Sequence, residues 1–269
     1  MLTNDWQYLA SVGALGPGIT RIATLGNNPD IDTGTQPEDV WAGAALGTVN
    51  GVDHRLIPRP TSATAMEAVS DSANDAAAGS GARTIVIGYL DSDYTAKTVV
   101  VTMNGTTPVP ITPTMLRINS VVVVTSGTVG GANAGAIQIR AAGGLGATYA
   151  YMQVGVGLAR SSMYTVPGGF AYDILSMVLS INRTDTNTRY ASYSLCIQNQ
   201  AGRLIKGIEL SNGSEGPYRH EADGCAVNTI AEKSDVWIRC ESVSLNDTNT
   251  TASLFGIQRP LNMTTLERY

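Results

Sequence analysis

The feature that most constrains this chain is a succession of short segments in which apolar and polar residues alternate, each ended by a turn residue. Thr95–Met103, for example, places Val99, Val101 and Met103 on one face of an extended segment. A period of two is that of a half-buried β-strand. Similar segments recur along the chain, at Arg83–Leu90, Met115–Thr125, Ala136–Arg140, Thr148–Val154, Phe170–Asn182, Arg189–Gln198, Arg203–Leu210, Ala226–Ala231, Asp235–Val243 and Thr250–Ile257. The pattern predicts an all-β chain of antiparallel strands.

Several details of this pattern predict local structure. Asn104-Gly105 predicts a hairpin, and the four valines from Val121 to Val124 predict burial on both faces. Three long segments each have a predicted inward face, made of Leu175, Met177, Leu179 and Ile181 in one, Tyr193, Leu195 and Ile197 in the next, and Val236, Ile238 and Cys240 in the last.

The chain divides into an extended amino-terminal arm, residues 1–65, and two β-sandwich modules, residues 66–158 and 159–269. The arm has no sustained periodicity and is interrupted by glycine and proline, with one short helical turn predicted near Pro37–Trp41. It contains Trp6, Tyr8 and Trp41, which are costly to leave in water. We predict that these three side chains bind a partner or a neighbouring subunit. The alternative is that the arm packs over its own subunit.

Charge narrows the classes of partner. The 269 residues include 17 basic and 22 acidic ones, and three of the basic residues are lysines, so the sequence does not predict a nucleic-acid-binding surface.

The uncharged windows Ile118–Ile139 and Ala141–Ala159 are broken by glycines and polar residues, so no membrane span is predicted. The amino terminus has no basic region before an apolar one, so we expect synthesis and retention in a cytoplasm.

Residues that could carry chemistry do not form a working set in the sequence. His54 and His220 are the available bases, and no nucleophile motif accompanies either. The best zinc set is His220, Cys225 and Cys240, whose spacing matches no common site. We therefore predict no catalytic residues, no metal and no cofactor.

Two acidic segments and two glycine-rich segments are interpreted as turns. Asp30-Ile-Asp32 begins like a calcium loop, but Trp41 stands where the bidentate glutamate would be. Asp91-Ser-Asp93 is interpreted as a turn whose aspartate binds its own backbone. Gly143–Gly146 and Gly155–Gly157 precede no helix that could hold a phosphate, and are interpreted as turns between strands.

Parts of the sequence resemble structural proteins of tailed-bacteriophage virions. Tyr164–Gly169, the loop Arg183–Thr188 and the block EKSDVWIRCES at 232–242 resemble their jelly-roll domains. Other stretches resemble a second domain of such proteins, namely Gly81–Thr84, Gly88–Asp91, Met103–Pro108 and Leu116–Asn119, and Pro37–Trp41 resembles their amino-terminal regions. The resemblance implies a carboxy-terminal jelly-roll-like sandwich, a location in the virion and assembly with other virion proteins.

The leading hypothesis is a non-enzymatic structural protein of a tailed phage particle, in its capsid, neck or tail. We expect a homo-oligomer, a trimer being favoured, that docks to other virion proteins. A second hypothesis is a glycan-binding, receptor-recognition module of a fibre, for which a host glycan is the partner and the candidate residues are Tyr149, Tyr151, Tyr164, Tyr190 and Tyr218. A glycan-degrading enzyme is the third.

Overall fold

The computed structural model describes residues 18–43, 47–49, 52–144, 146–182, 188–213, 218–221 and 228–263, and describes the backbone alone at 47–49, 52–54, 208, 218–221 and 228. Within these ranges the chain forms strands and turns without a helix, so none of it is a helix able to cross a membrane. Every pair of neighbouring strands is antiparallel. The all-β prediction is confirmed.

The strands are as follows, in chain order: β1 (Thr20–Ala23), β2 (Gly26–Ile31), β3 (Glu38–Asp39), β4 (Gly47–Val49), β5 (Val52–His54), β6 (Thr64–Ser70), β7 (Ala82–Leu90), β8 (Ala96–Thr102), β9 (Val109–Met115), β10 (Arg117–Ser126), β11 (Ile137–Ala141), β12 (Thr148–Met152), β13 (Tyr164–Thr165), β14 (Phe170–Asn182), β15 (Tyr190–Gln198), β16 (Leu204–Gly213), β17 (Tyr218–Glu221), β18 (Asn228–Ile230), β19 (Asp235–Val243) and β20 (Thr248–Pro260).

The middle of the chain forms a pair of sheets that share one apolar core. One sheet has the order β10-β7-β8 and the other β12-β11-β6-β9. Their facing side chains, among them Met66, Ile85, Met103 and Ile137, are almost fully buried. We call this the middle core. Val101 and Met103 lie in it and Val99 packs against it, as the alternation of Thr95–Met103 predicts.

The carboxy-terminal part forms a second pair of sheets around its own core. One sheet has the order β1-β20-β14-β17, with β2 beside β20 and β18 beside β14, and the other has the order β13-β19-β15-β16, with β3 beside β19. The predicted inward residues of β15 and β19 pack in this second core. Residues 20–31 and 38–39, predicted as part of an arm, therefore lie in these sheets, where Thr20 to Ala23 pair with Gln258 to Phe255.

A β-bulge changes the inward face of β14. Ile174 pairs with Gly256 and Ser176 pairs with Phe255, so Leu175 is an extra residue with no partner. One inserted residue reverses the alternation that precedes it. Tyr172 and Ile174 therefore point inward together with Met177, Leu179 and Ile181. The predicted inward position of Leu175 is wrong.

Three other local predictions are wrong for tertiary reasons. Val121 is buried, but Val122 and Val124 are 40% and 56% exposed, so the valine run is covered on one face only. Asn104-Gly105 does form a turn, yet the strands on either side, β8 and β9, belong to different sheets and make no hairpin. The segment predicted as a helical turn near Trp41 is instead the short strand β3, which pairs with β19.

A buried polar junction joins the two pairs of sheets. The Arg117 guanidinium on β10 donates from Nε and Nη2 to the Asp235 carboxylate on β19, both at 2.9 Å. Asp235 also accepts from the Thr165 hydroxyl at 2.7 Å, and the Thr165 backbone exchanges two hydrogen bonds with the Asn119 side chain. Beside this junction, a small apolar cluster contains Trp41, Ile57, Met163, Cys196 and Trp237.

Candidate functional site

A cleft of about 200 Å³ lies where the middle sheets meet the amino-terminal segment. Its walls come from four parts of the chain: Ile118–Val122 on β10, Tyr149–Tyr151 on β12, Leu158–Ser161, and Ala23–Leu25 together with Trp41. Residues far apart in sequence thus converge on one concave surface. Such a surface between structural units is a common location for a binding site.

The turn after β12 builds one wall of the cleft. Gly157 has φ +75°, a left-handed conformation that favours glycine, and an added Cβ would lie 2.6 Å from the Gly131 carbonyl oxygen. This turn sends the following residues along β10, where Ala159 N–H donates to the Val121 carbonyl at 2.9 Å. Ser161 then forms bridges with Leu25 and Trp41, which hold the amino-terminal segment against the cleft.

The cleft carries a single charged side chain, that of Arg160. Arg160 is half-buried, and its guanidinium makes no hydrogen bond or ion pair with the described residues. Two polar groups of the wall are already occupied: the Asn119 amide binds Thr165, and the Ser161 hydroxyl accepts from the Met163 N–H. Within the described part of the chain, the cleft therefore has one positive charge without a counter-charge, among largely apolar walls.

Trp41 is a buried residue of the cleft wall whose N–H has no described partner. Its side chain is 1% exposed, and its indole Nε1 finds no acceptor among the described residues. A buried N–H without a partner costs about 1–3 kcal/mol. The Cα of Gly43 lies close to the outer edge of the indole, where an added Cβ would meet Cη2 at 2.0 Å. The packing thus fixes the ring in the wall of the cleft.

Two half-buried tyrosines complete the cleft. Tyr149 and Tyr151 are two residues apart on the edge strand β12, so they share one face of it. Burial raises the pKa of Tyr151, and the charge of nearby Asp71 raises it further. The Tyr151 phenol is therefore protonated at neutral pH and can donate a hydrogen bond.

A separate buried network surrounds Asp39 beneath the cluster of Trp41 and Trp237. The Asp39 carboxylate accepts from Trp237 Nε1 at 2.7 Å, from Arg239 Nε at 2.9 Å and from the Ile57 N–H at 2.8 Å. Arg59 stacks over the Trp237 ring, 3.9 Å from its centroid, and burial lowers the pKa of Arg59. Trp237, Arg239 and Ile57 all donate to Asp39, which suits a structural role for this carboxylate.

The predicted partner-binding residues have different positions. Trp41 is buried inside its own chain. This matches the alternative in which the arm packs over its own subunit instead of docking on a partner. Trp6 and Tyr8 lie outside the described residues. Sequence reasoning missed Arg160, because a single arginine after a glycine turn carries no motif.

The five tyrosines proposed for glycan binding do not form one surface. Tyr149 and Tyr151 line the cleft, whereas Tyr164 is buried and packs edge-to-face on Tyr172, with 5.2 Å between ring centroids. Tyr190 is 60% exposed on β15. The Tyr218 side chain lies outside the described residues.

The candidate metal and nucleophile residues are only partly described. Cys196 and Cys240 are fully buried, and burial raises the pKa of these thiols to about 11 and about 12. Both are therefore protonated at neutral pH, and a thiol rather than a thiolate is a poor nucleophile or metal ligand. Cys225 and the side chains of His54 and His220 lie outside the described residues.

The acidic turns have distinct environments. Asp91 accepts from the Asp93 and Thr95 N–H groups, which confirms its interpretation as a turn aspartate. Asp30 and Asp32 approach Asp247, and one carboxylate oxygen of each residue lies within 4.8 Å of the others. Asp30 is paired with Arg55 at 3.1 Å, and Asp32 accepts from the N–H of Asp247 rather than from its own turn.

An open strand edge is the second surface of interest. β16 is the last strand of its sheet, and most of its described side chains are exposed. Leu204 and Ile205 are 44% and 45% exposed. The Lys206 ammonium is turned back to Glu241 at 2.8 Å. Among the described strands only β15 pairs with β16, so the other edge of β16 has no described partner strand and lies beside exposed apolar side chains, the combination that promotes pairing with another chain.

Comparison with known proteins gives distant likenesses. No family model and no curated protein matches the chain. A structure of the Gt strain of infectious bursal disease virus is similar over 90% of this chain and 73% of that chain, at 10% identity and a TM-score of 0.18. A mutant VP2 protein of the same virus, in derived T=1 particles, is similar over 95% of this chain and 83% of that chain, at 10% identity and a TM-score of 0.15. Both are viral structures.

Proposed function

We propose that this chain is a non-enzymatic structural component of a tailed phage virion, which assembles as a homo-oligomer and docks to neighbouring capsid, neck or tail proteins. The sequence resemblance supports the phage assignment. The two pairs of sheets, each around its own core, support two β-sandwich modules, of which we infer the carboxy-terminal one to be jelly-roll-like.

The exposed edge of β16 carries the assembly proposal. Monomeric β proteins protect an edge strand with outward charges, proline or a covering loop. Here the lysine of the strand is bound to Glu241 and two adjacent apolar residues face solvent. A second copy that pairs with this edge would satisfy the backbone groups and cover Leu204 and Ile205. A trimer is the favoured closed assembly, and Trp6 and Tyr8 remain predicted contacts to other virion proteins.

The most buried carboxylates favour a structural role over catalysis. Asp39, Asp75 and Asp235 are at most 3% exposed, as is Glu38, which accepts from the Asn28 amide at 2.7 Å. Asp75 accepts from the Ser70 hydroxyl and from the N–H groups of Ala82, Ala134 and Gly135, at 2.6–2.8 Å. Such carboxylates hold loops and strands in place, and their lone pairs are occupied by protein donors.

Light scattering on the full chain tests the assembly proposal. The expected mass is a multiple of 28.1 kDa, 84 kDa being about the value for a trimer. Ile205→Asp should shift the mass toward the monomer, because a charge would be buried at the new contact. Val154→Asp is the matched control, since Val154 is 59% exposed in a turn and lies on no edge strand. A monomeric full chain, or equal effects of both substitutions, would contradict the proposal.

A second candidate function is glycan recognition, which the cleft favours. Tyr149 and Tyr151 line one concave surface together with the buried Trp41, and the Arg160 guanidinium has no ion-pair partner among the described residues. Aromatic rings with polar tips are suited to sugars, which have apolar C–H faces and a rim of hydroxyl groups.

A further inference from the structure

We propose that the cleft binds one acidic sugar unit, a pyranose that carries a carboxylate, through Arg160 and the aromatic residues beside it. This inference rests on the glycan-recognition candidate and specifies its ligand. It is independent of the assembly through β16.

The volume of the cleft limits the ligand to one small ring. Sites for drug-sized ligands occupy about 300–1,000 Å³, and this cleft has about 200 Å³. A single sugar ring fits this space, and the rest of a longer glycan would extend past the exposed rim residues Leu25 and Val122.

The charge of the cleft selects for an anion. Arg160 is the single charged residue of the wall, and no acidic residue lies in it. Several other arginines that bridge described elements, among them Arg117, Arg140 and Arg259, are paired with a carboxylate. Arg160 lacks such a partner among the described residues although it is half-buried. A guanidinium binds a carboxylate through two parallel hydrogen bonds, so a carboxylate on the ligand would supply the missing partner.

The remaining unused groups of the wall suit a sugar rather than a simple anion. Tyr149 and Tyr151 present partly exposed rings from one face of β12, and aromatic rings pack well against the C–H face of a pyranose. The Tyr151 phenol is a donor at neutral pH, and sugar hydroxyl oxygens accept hydrogen bonds from such a donor. An inorganic anion would use the charge and leave the rings unused.

Titration calorimetry on the full chain with three probes tests the proposal: glucuronate, methyl α-glucoside and acetate. Glucuronate should bind at least tenfold more tightly than either of the others, since it alone carries both the ring and the carboxylate. Added salt should weaken glucuronate binding, because the contact involves a charge at the edge of solvent.

Variants identify the residues involved. Arg160→Gln should reduce the affinity for glucuronate at least tenfold, which corresponds to about 1.4 kcal/mol, and should remove the preference over methyl α-glucoside. Arg203→Gln is the matched control, because it removes one exposed arginine outside the cleft. Tyr149→Ala should weaken both sugars alike. Thermal unfolding of each variant verifies that it is folded, and Arg160→Gln should retain the wild-type midpoint.

Each other outcome overturns the proposal in a distinct way. Equal binding of glucuronate and methyl α-glucoside would retain glycan recognition and refute the acidic ligand. Equal binding of acetate and glucuronate would indicate a general anion site. Absence of binding by both sugars would refute this inference together with the glycan candidate, while the mass measured by light scattering would still decide the assembly proposal.

Discussion

Arg117 and Asp235, 118 positions apart in the sequence, form a bidentate ion pair between β10 and β19. Both side chains are less than a tenth exposed. The pair therefore couples the middle sheets to the carboxy-terminal sheets.

Asp235→Asn should destabilise the protein by about 3–5 kcal/mol, because it leaves the buried Arg117 guanidinium without its counter-charge. Urea unfolding followed by circular dichroism measures the loss. Lys206→Gln, which breaks the more exposed pair with Glu241, is the control and should cost no more than about 1 kcal/mol. Similar losses in the two variants would show that the Arg117–Asp235 pair is not a major link.

The two buried tryptophans of the small apolar cluster should respond differently to the same substitution. Trp237 Nε1 donates to Asp39, whereas Trp41 Nε1 has no described partner. Trp237→Phe should therefore cost about 1–3 kcal/mol more than Trp41→Phe, since it leaves a buried carboxylate short of a donor. Both variants lose a similar volume, so chemical denaturation isolates the hydrogen bond. A larger loss at Trp41 would contradict this assignment.

Gly256 should not tolerate a methyl group. An added Cβ would lie 2.2 Å from the Asp173 carbonyl oxygen and 2.6 Å from the Tyr172 ring, opposite the β14 bulge. Gly256→Ala should cost about 1–3 kcal/mol through overpacking. Gly34→Ala is the control, because nothing lies within 4 Å of that position, and its thermal midpoint should be unchanged or slightly higher. Equal midpoints for both variants would contradict the close approach.

Glu38 should make the protein less stable as the pH rises. Burial raises the pKa of Glu38, although hydrogen bonds from Thr35 and Asn28 oppose the shift. A folded-state pKa above the unfolded value gives stability that is present at low pH and is lost as the pH rises through the folded-state pKa. The stability of Glu38→Gln minus that of the wild type should therefore increase from pH 4 to pH 7, as measured by urea unfolding at each pH. A difference that decreases with rising pH would contradict this.

Cys196 and Cys240 should be inert to thiol reagents in the folded protein. Their buried thiols, with pKa values of about 11 and about 12, are protonated at pH 8. Ellman's reagent should therefore detect no rapidly reacting thiol in the native Cys225→Ser variant. It should detect two thiols after this variant is denatured in urea. Fast reaction of the native variant would show that one of the two strands opens readily.

Much of the fold could be predicted from the sequence, because alternation reports which face of a strand is buried. The inward residues of β15 and β19 follow it, as do those of β8. The alternation fails in β14, where the bulge at Leu175 arises from pairing with β20, about 80 residues away. The burial on both faces predicted from the four-valine run also fails, because Val122 and Val124 are 40% and 56% exposed.

The sequence by itself determined the all-β class, the positions of most strands and turns, and the absence of a recognisable catalytic motif. Only the tertiary structure decided that residues 20–31 join the carboxy-terminal sheets, that Trp41 is buried in its own chain, and that Arg160 meets Tyr149 and Tyr151 in a cleft. The reason is physical. Local patterns encode the period of a strand, whereas sheet order and clefts depend on contacts between separate segments of the chain, some of them more than a hundred positions apart.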